Sequence, residues 1–180
     1  MKRDHGGRPR ASVAPVPLDD FSDVVAGNRA FAAGFRFEAL EARAAKGLAV
    51  LTCMDSRLDP LAMLGLVPGD AKILRNAGAR VTEDVLRTLV LATYLLGVRR
   101  FMVVAHTGCR MTAKSESDVH EAILAAGGPD TRSLSFLTTE DQKLALRCDV
   151  QRVRSFPYLA GVLAGGFVYD LHSGVLEQVC

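Results

Sequence analysis

The run Leu48-Ala49-Val50-Leu51-Thr52-Cys53 constrains the fold more than any other stretch. It carries no charge, follows Gly47 and ends in the polar Asp55-Ser56-Arg57. A short continuous apolar run of this kind suits a strand buried on both faces, as in parallel sheets. Residues 71–75 read as a second such strand, ending at the turn signal Asn76-Ala77-Gly78. Residues 100–105 read as a third. Between them Thr82-Glu83-Asp84 opens a helix that Gly97 ends, with Val85, Leu86, Leu89, Val90 and Leu96 as its apolar residues. Alternation of strands and helices predicts an α/β fold with a mostly parallel central sheet flanked by helices.

The flanking segments follow from the same signals. Ser115 and Asp118 form a capping box for a helix to about Ala126, and Thr138 and Asp141 repeat the spacing for one to about Ser155. Residues 164–170 and 175–179 read as a C-terminal strand pair joined through His172-Ser173-Gly174. Upstream, 19–34 reads as a helix capped by Asp19 or Asp20, and 37–45 as a second, short one. The division expected is a disordered basic arm over 1–17, an N-terminal helical arm over 18–46 and an α/β core over 47–180.

Charge and composition narrow the function classes. The chain has 180 residues, with 22 basic against 20 acidic side chains and a net charge of +2, so a nucleic-acid module is not favoured. It has no Trp and 6% aromatics, which leaves few platforms for stacking bases. The surplus positive charge sits in 1–17 (Lys2, Arg3, Arg8, Arg10 against Asp4), a Pro- and Gly-containing stretch without the apolar core of a secretory signal. A tether to nucleic acid or an anionic surface is the alternative for that arm. No apolar run is long enough for a membrane span. Four Cys are too few for a disulfide-stapled secreted fold, so the expectation is a soluble, cytoplasmic protein with reduced thiols and neither a nucleic-acid nor a membrane partner.

The familiar phosphate-loop, dinucleotide, nucleophile-elbow and C-x-x-C motifs are absent. Two strand ends carry unusual chemistry instead: Cys53-Met54-Asp55-Ser56-Arg57 and His106-Thr107-Gly108-Cys109. In a parallel sheet both leave the same edge, where ligands bind. Two thiolates and an imidazole suit zinc, and three protein ligands leave a fourth position open. Spacing alone leaves open a buried thiol and a hydrogen-bonded histidine. Asp55 and Arg57, two apart on an extended segment, point to one side and can form a bidentate ion pair; Asp59 is a rival partner for Arg57. Cys148 reads as a core or groove thiol, Cys180 as a mobile last residue, His120 as helix surface and His172 as a turn residue.

C-M-D-S-R at 53–57, R-N-A-G at 75–78 and H-T-x-C at 106–109, in this order, resemble the β-class carbonic anhydrase family, in its small, short-chain branch. Gly166-Phe167-Val168-Tyr169-Asp170 and Gly174 resemble the family's closing hairpin, and the likeness covers about residues 19–180. The resemblance implies one zinc per chain held by Cys53, His106 and Cys109. It implies an Asp55–Arg57 catalytic dyad in which Arg57 keeps Asp55 off the metal, Asp55 becoming a ligand only in a closed state. The implied reaction is reversible hydration of carbon dioxide to bicarbonate and a proton by zinc-bound hydroxide. The implied assembly is a homodimer or higher homo-oligomer wrapped by the helical arm. Two thiolates cancel the charge of the metal, so activity is expected to rise toward alkaline pH. The chain departs from the family pattern at Arg110, where Gly usually follows the second Cys. The alternatives are a weak or silent zinc-binding relative that binds bicarbonate or a partner, and a hydrolase of carbonyl sulfide or carbon disulfide.

Overall fold

The computed structural model describes residues 21–180. The arm at 1–17 and the capping positions Asp19 and Asp20 lie outside the described residues. The chain divides into two compact units between Ala39 and Leu40.

In the first unit, α1 spans Ser22–Ala32. Phe31, Phe35 and Phe37 meet edge to face, with ring centroids 5.9 and 5.6 Å apart.

The second unit holds a five-stranded sheet: β1 (Leu48–Cys53), β2 (Ala71–Asn76), β3 (Arg100–His106), β4 (Leu163–Tyr169) and β5 (Leu176–Gln178). The spatial order is β2-β1-β3-β4-β5; the first four strands are parallel and β5 pairs antiparallel with β4. The predicted α/β class, mostly parallel sheet and C-terminal strand pair are therefore observed. The helices of this unit are α2 (Glu83–Leu95), α3 (Glu116–Ala125) and α4 (Gln142–Arg154).

All six β1 residues are buried, as an uncharged strand in the middle of a sheet requires. Alternate residues serve opposite faces. Ala49, Leu51, Phe101 and Val103 pack with Leu86 and Leu89 of α2 and Leu146, Val150 and Val153 of α4. Leu48, Val50 and Val104 pack on the other face with Met63, Leu64, Ile73 and Phe167. Among the described residues no helix is long and apolar enough to cross a membrane.

Local signals placed most helix starts. Thr82 caps α2 by accepting from the Val85 N–H, and Ser115 and Asp118 form the expected reciprocal capping box on α3. The box expected at Thr138 does not form. Asp141 caps α4 by itself, accepting from the Leu144 N–H at 2.9 Å. Thr138 instead donates its N–H to Glu116 Oε1 at 2.9 Å. The short helix expected at 37–45 is also absent. Its last residues spend their N–H groups elsewhere: Ala44 on Leu96 O at 2.9 Å and Ala45 on Gly69 O at 3.0 Å. These long-range bonds displace the i→i−4 pattern that a weak local propensity favours.

The last residue is pinned rather than mobile. Cys180 O accepts from the Gly166 N–H at 2.9 Å. A Cβ at Gly166 would lie 2.8 Å from Cys180 Sγ and 2.9 Å from Leu146 Cγ. Gly166→Ala is expected to lower stability by about 1–3 kcal/mol through overpacking, read as a lower urea midpoint at unchanged slope.

Candidate metal centre

The chain runs from β1 to β2 on one side, then crosses to β3 on the other side of β1. The carboxyl ends of β1 and β3 therefore flank a topological switch point, where open α/β sheets place their ligands. Cys53 ends β1 and His106 ends β3; Cys109 follows three residues later, just before a short turn at Arg110–Thr112. All three side chains are buried, and their candidate donor atoms lie within 4.8 Å of one another.

The sulfurs of Cys53 and Cys109 are 4.0 Å apart. That is far beyond a disulfide bond and close to the ~3.8 Å expected for two sulfurs on a tetrahedral zinc with ~2.3 Å bonds. His106 Nδ1 lies 2.9 Å from Thr107 O, so Nδ1 carries the proton and Nε2 carries the free lone pair. Nε2 is fully buried and has no hydrogen-bond partner among the described residues. A buried ring nitrogen is rarely left orphaned, and an ion shared with the two sulfurs would satisfy it. The donor set, the sulfur spacing and the orphaned nitrogen all fit a zinc ion.

The electrostatics match. The hydrogen bond from Cys109 lowers the Cys53 thiol to about 3 against the cost of burial. The same contact, with burial, pushes Cys109 up, so the pair holds one proton between them. Burial lowers His106, but the Cys53 sulfur and the Thr107 carbonyl outweigh it and the net direction is upward.

Asp55 and Arg57 stand beside this group as a bidentate pair. Arg57 Nε donates to Asp55 Oδ1 at 2.9 Å and Nη2 to Oδ2 at 2.6 Å. The guanidinium holds the Asp55 carboxyl well below the usual carboxylate range. Asp55 Oδ2 lies 3.8 Å from His106 Nε2. Asp59 is not the partner of Arg57; it accepts from the N–H groups of Leu61 and Ala62. An open cavity of about 500 Å³ adjoins the site, with Met54, Ala77 and Met111 as apolar walls and Asp55, Ser56 and Arg110 as polar ones.

Arg110 is exposed and is not among the residues with positive φ; that conformation falls to Gly108, at φ 64°. The turn therefore places no glycine requirement on position 110. Cys148 is exposed, not in the core. His120 is more enclosed than a surface residue, with Nδ1 3.0 Å from Thr131 Oγ1. His172 sits in the turn as expected, its N–H donating to Asp170 Oδ1.

Two supporting residues escaped the sequence reading. Arg75 donates to three carbonyls of the 53–58 loop: Cys53 O at 3.1 Å, Asp55 O at 2.7 Å and Leu58 O at 3.3 Å. Gln142 Nε2 donates to His106 O at 3.1 Å and ties α4 to the end of β3. Arg75 opens the R-N-A-G block, the only local signal for it.

A parallel α/β sheet with a Cys₂His group at its switch point and an arginine-braced carboxylate alongside defines a candidate metalloenzyme of the β-carbonic anhydrase type. The carbonic anhydrase family model matches residues 48–126. β-Carbonic anhydrase 1 of Mycobacterium tuberculosis is 35% identical over 161 residues, covering 87% of this chain and 96% of that relative. The crystal structure of carbonic anhydrase from Streptococcus mutans superimposes with a TM-score of 0.85 at 31% identity, over 92% of this chain and 100% of that one. A carbon disulfide hydrolase of an Acidianus species is 41% identical over 78 residues, 43% of this chain and 38% of that relative. The chain belongs to the β-carbonic anhydrase family.

Proposed function

We propose that this protein catalyses the reversible hydration of carbon dioxide to bicarbonate and a proton, with one zinc held by Cys53, His106 and Cys109. The observation that carries the reading is the buried, unpartnered His106 Nε2 facing two cysteine sulfurs next to the Asp55–Arg57 pair. The near-complete coverage of the mycobacterial β-carbonic anhydrase supports it.

Bound zinc supplies Lewis acidity, which brings the ionisation of water into the neutral range. The chain supplies the remainder. Thr107 fixes the His106 tautomer through Nδ1. Met54, Ala77 and Met111 offer an apolar wall suited to a small uncharged substrate. Arg57 holds Asp55 ionised through two parallel hydrogen bonds, which fix its carboxylate beside the three donors rather than among them. The Asp55 carboxylate would then accept a hydrogen bond from the reacting water and orient it. Asp55 would act as gate as well: while paired with Arg57 it leaves room beside Cys53, His106 and Cys109, and a turn toward them would close that room.

The linkage sign for metal binding follows from the two thiols. Without metal the pair keeps one proton because Cys109 is pushed up, and binding must expel it. Apparent zinc affinity is expected to rise about tenfold per pH unit, and more steeply where His106 is also protonated. Chelator competition between pH 6 and 8 measures it; a flat profile contradicts a dithiolate site.

Stopped-flow carbon dioxide hydration on a sample of known metal content tests the function, with the rate expected to rise toward alkaline pH. A metal-loaded sample that releases hydrogen sulfide from carbon disulfide but does not hydrate carbon dioxide would favour the second reading, which the Acidianus relative supports. We also infer a cytoplasmic homodimer built through the helical arm. The exposed Phe21, Val24, Val25 and Phe31 support the dimer, and a dithiolate metal site, which oxidation to a disulfide would destroy, supports a reducing compartment. Sedimentation of the full chain beside a form lacking the arm measures the assembly.

A further inference from the structure

Two residues other than glycine have positive φ among the described residues: Ala79, at 57°, and Leu137, at 59°. They are far apart in sequence, and Arg80 touches the segments of both. The Arg80 N–H donates to Asn76 Oδ1 at 2.9 Å and Asn76 Nδ2 donates to Arg80 O at 2.7 Å, which brackets the turn Ala77–Ala79. Arg80 Nη1 donates to Leu137 O at 2.7 Å. The guanidinium is anchored by Asp149 on α4, with Nε to Oδ2 at 2.6 Å and Nη2 to Oδ1 at 3.4 Å. Asp149 is buried and the Arg80 side chain is 18% exposed, so the pair is largely withdrawn from water.

Both segments lead to a cysteine. Asn76, at the foot of the bracketed turn, is the register partner of Cys53 on β1, and its carbonyl accepts from the Met54 N–H at 2.9 Å. Gly78 has φ 77°, and a Cβ there would come within 3.1 Å of Met111 Cβ. On the other side, the Thr139 N–H donates to Met111 O at 3.0 Å, within the short turn Arg110–Thr112, whose Thr112 N–H donates to Cys109 O at 3.2 Å. Behind Cys109 a void of about 10 Å³ is bounded by Gly78, Ala79, Arg80, Met111 and Leu137. One side chain thus holds both strained segments that brace the backbone at the two cysteines. Backbone strain persists only where its surroundings over-determine it, and it concentrates at working sites.

We infer that Arg80, anchored by Asp149, is a positioning residue of the metal centre that fixes the backbone from which both cysteine sulfurs project. The inference rests on the metal reading of Cys53, His106 and Cys109. Outer contacts that hold the ligands in register with one another sustain the grip on a cation, so losing them weakens it. The proposal predicts an effect on metal retention out of proportion to any effect on folding.

The test separates the two. Arg80→Met combined with Asp149→Leu removes both charges together, a replacement that buried ion pairs often tolerate without loss of stability. Arg80→Lys keeps a cation opposite Asp149 but cannot reach Asp149 and Leu137 O in the same fork. Zinc affinity is measured by chelator competition, the sulfur-to-cobalt absorption band after loading with cobalt, and the melting temperature on the metal-free chain. The double variant is expected to melt within a few degrees of the unsubstituted chain. Its zinc affinity is expected to fall about 10- to 100-fold and its cobalt band to shift, with Arg80→Lys intermediate. Unchanged affinity and band in both variants would overturn the positioning role. So would an affinity loss in Arg80→Lys that only tracks its melting temperature, and this arm decides the matter if the double variant does not fold. Failure of the unsubstituted chain to take up zinc would overturn the metal reading and this inference with it. Normal uptake that is indifferent to both variants would overturn this inference alone.

Discussion

Cys109→Ser is expected to strip the protein of its metal. Zinc should fall from about one per chain to near zero after dialysis, and hydration activity should vanish with it. The residue is 3% exposed and its sulfur lies 4.0 Å from that of Cys53, so the serine oxygen would be left facing the ion in its place. A thiol gives up its proton to a metal near neutrality and a serine hydroxyl does not. Cys53 and His106 would then face the ion with one negative charge instead of two. The affinity loss should exceed the ~100-fold upper figure for deleting a mere supporting hydrogen bond. Stability should follow by mass action: a ligand present at about 1,000 times its Kd adds about 4 kcal/mol to the folded state, and the variant forgoes that. Metal analysis and a thermal melt with and without added zinc check both parts. Zinc retained at one per chain would remove Cys109 from the ligand set.

Asp55→Asn should do the reverse, keeping zinc while losing turnover. The amide preserves the shape of the side chain and can still accept from Arg57. It loses the charge that the 2.6 Å Arg57 contact holds in place, and with it most of the power to orient and accept from a reacting hydroxyl. A positioned carboxylate of this kind is worth about 10²–10⁴ in rate. Because Asp55 is turned to Arg57, metal content should stay near one per chain. Rate and metal content on one preparation decide it. Loss of zinc from the variant would mean that Asp55 serves chiefly as a ligand, and unchanged rate would remove it from the chemistry.

Much of this was legible in the chain itself. β1 could be read because a central parallel strand needs an uncharged run, and Leu48–Cys53 is one. The helix start at Ser115 could be read because a cap is a contact across three residues. Cys53, His106 and Cys109 could be read together because parallel strands end on one edge, and the geometry brings their donor atoms within 4.8 Å. The pairing of Asp55 with Arg57 needed only two-residue spacing.

The features that sequence reasoning missed all depend on separation along the chain. The helix expected at 37–45 gives way because Leu96 O and Gly69 O capture its amides. Thr138 leaves its expected cap for Glu116, 22 residues away. Arg75 reaches Cys53 O across 22 residues, and Arg80 reaches Asp149 across 69. Periodicity, caps and strand ends are written in neighbouring residues, so the sequence alone determined the sheet, its chemistry-bearing edge and the candidate ligands. Which arginines reach that edge was decided only by tertiary contacts, Arg75 with the 53–58 loop and Arg80 with α4 and Leu137 O. A side-chain bond between distant residues leaves no periodic trace, and only the folded chain brings its two halves into reach.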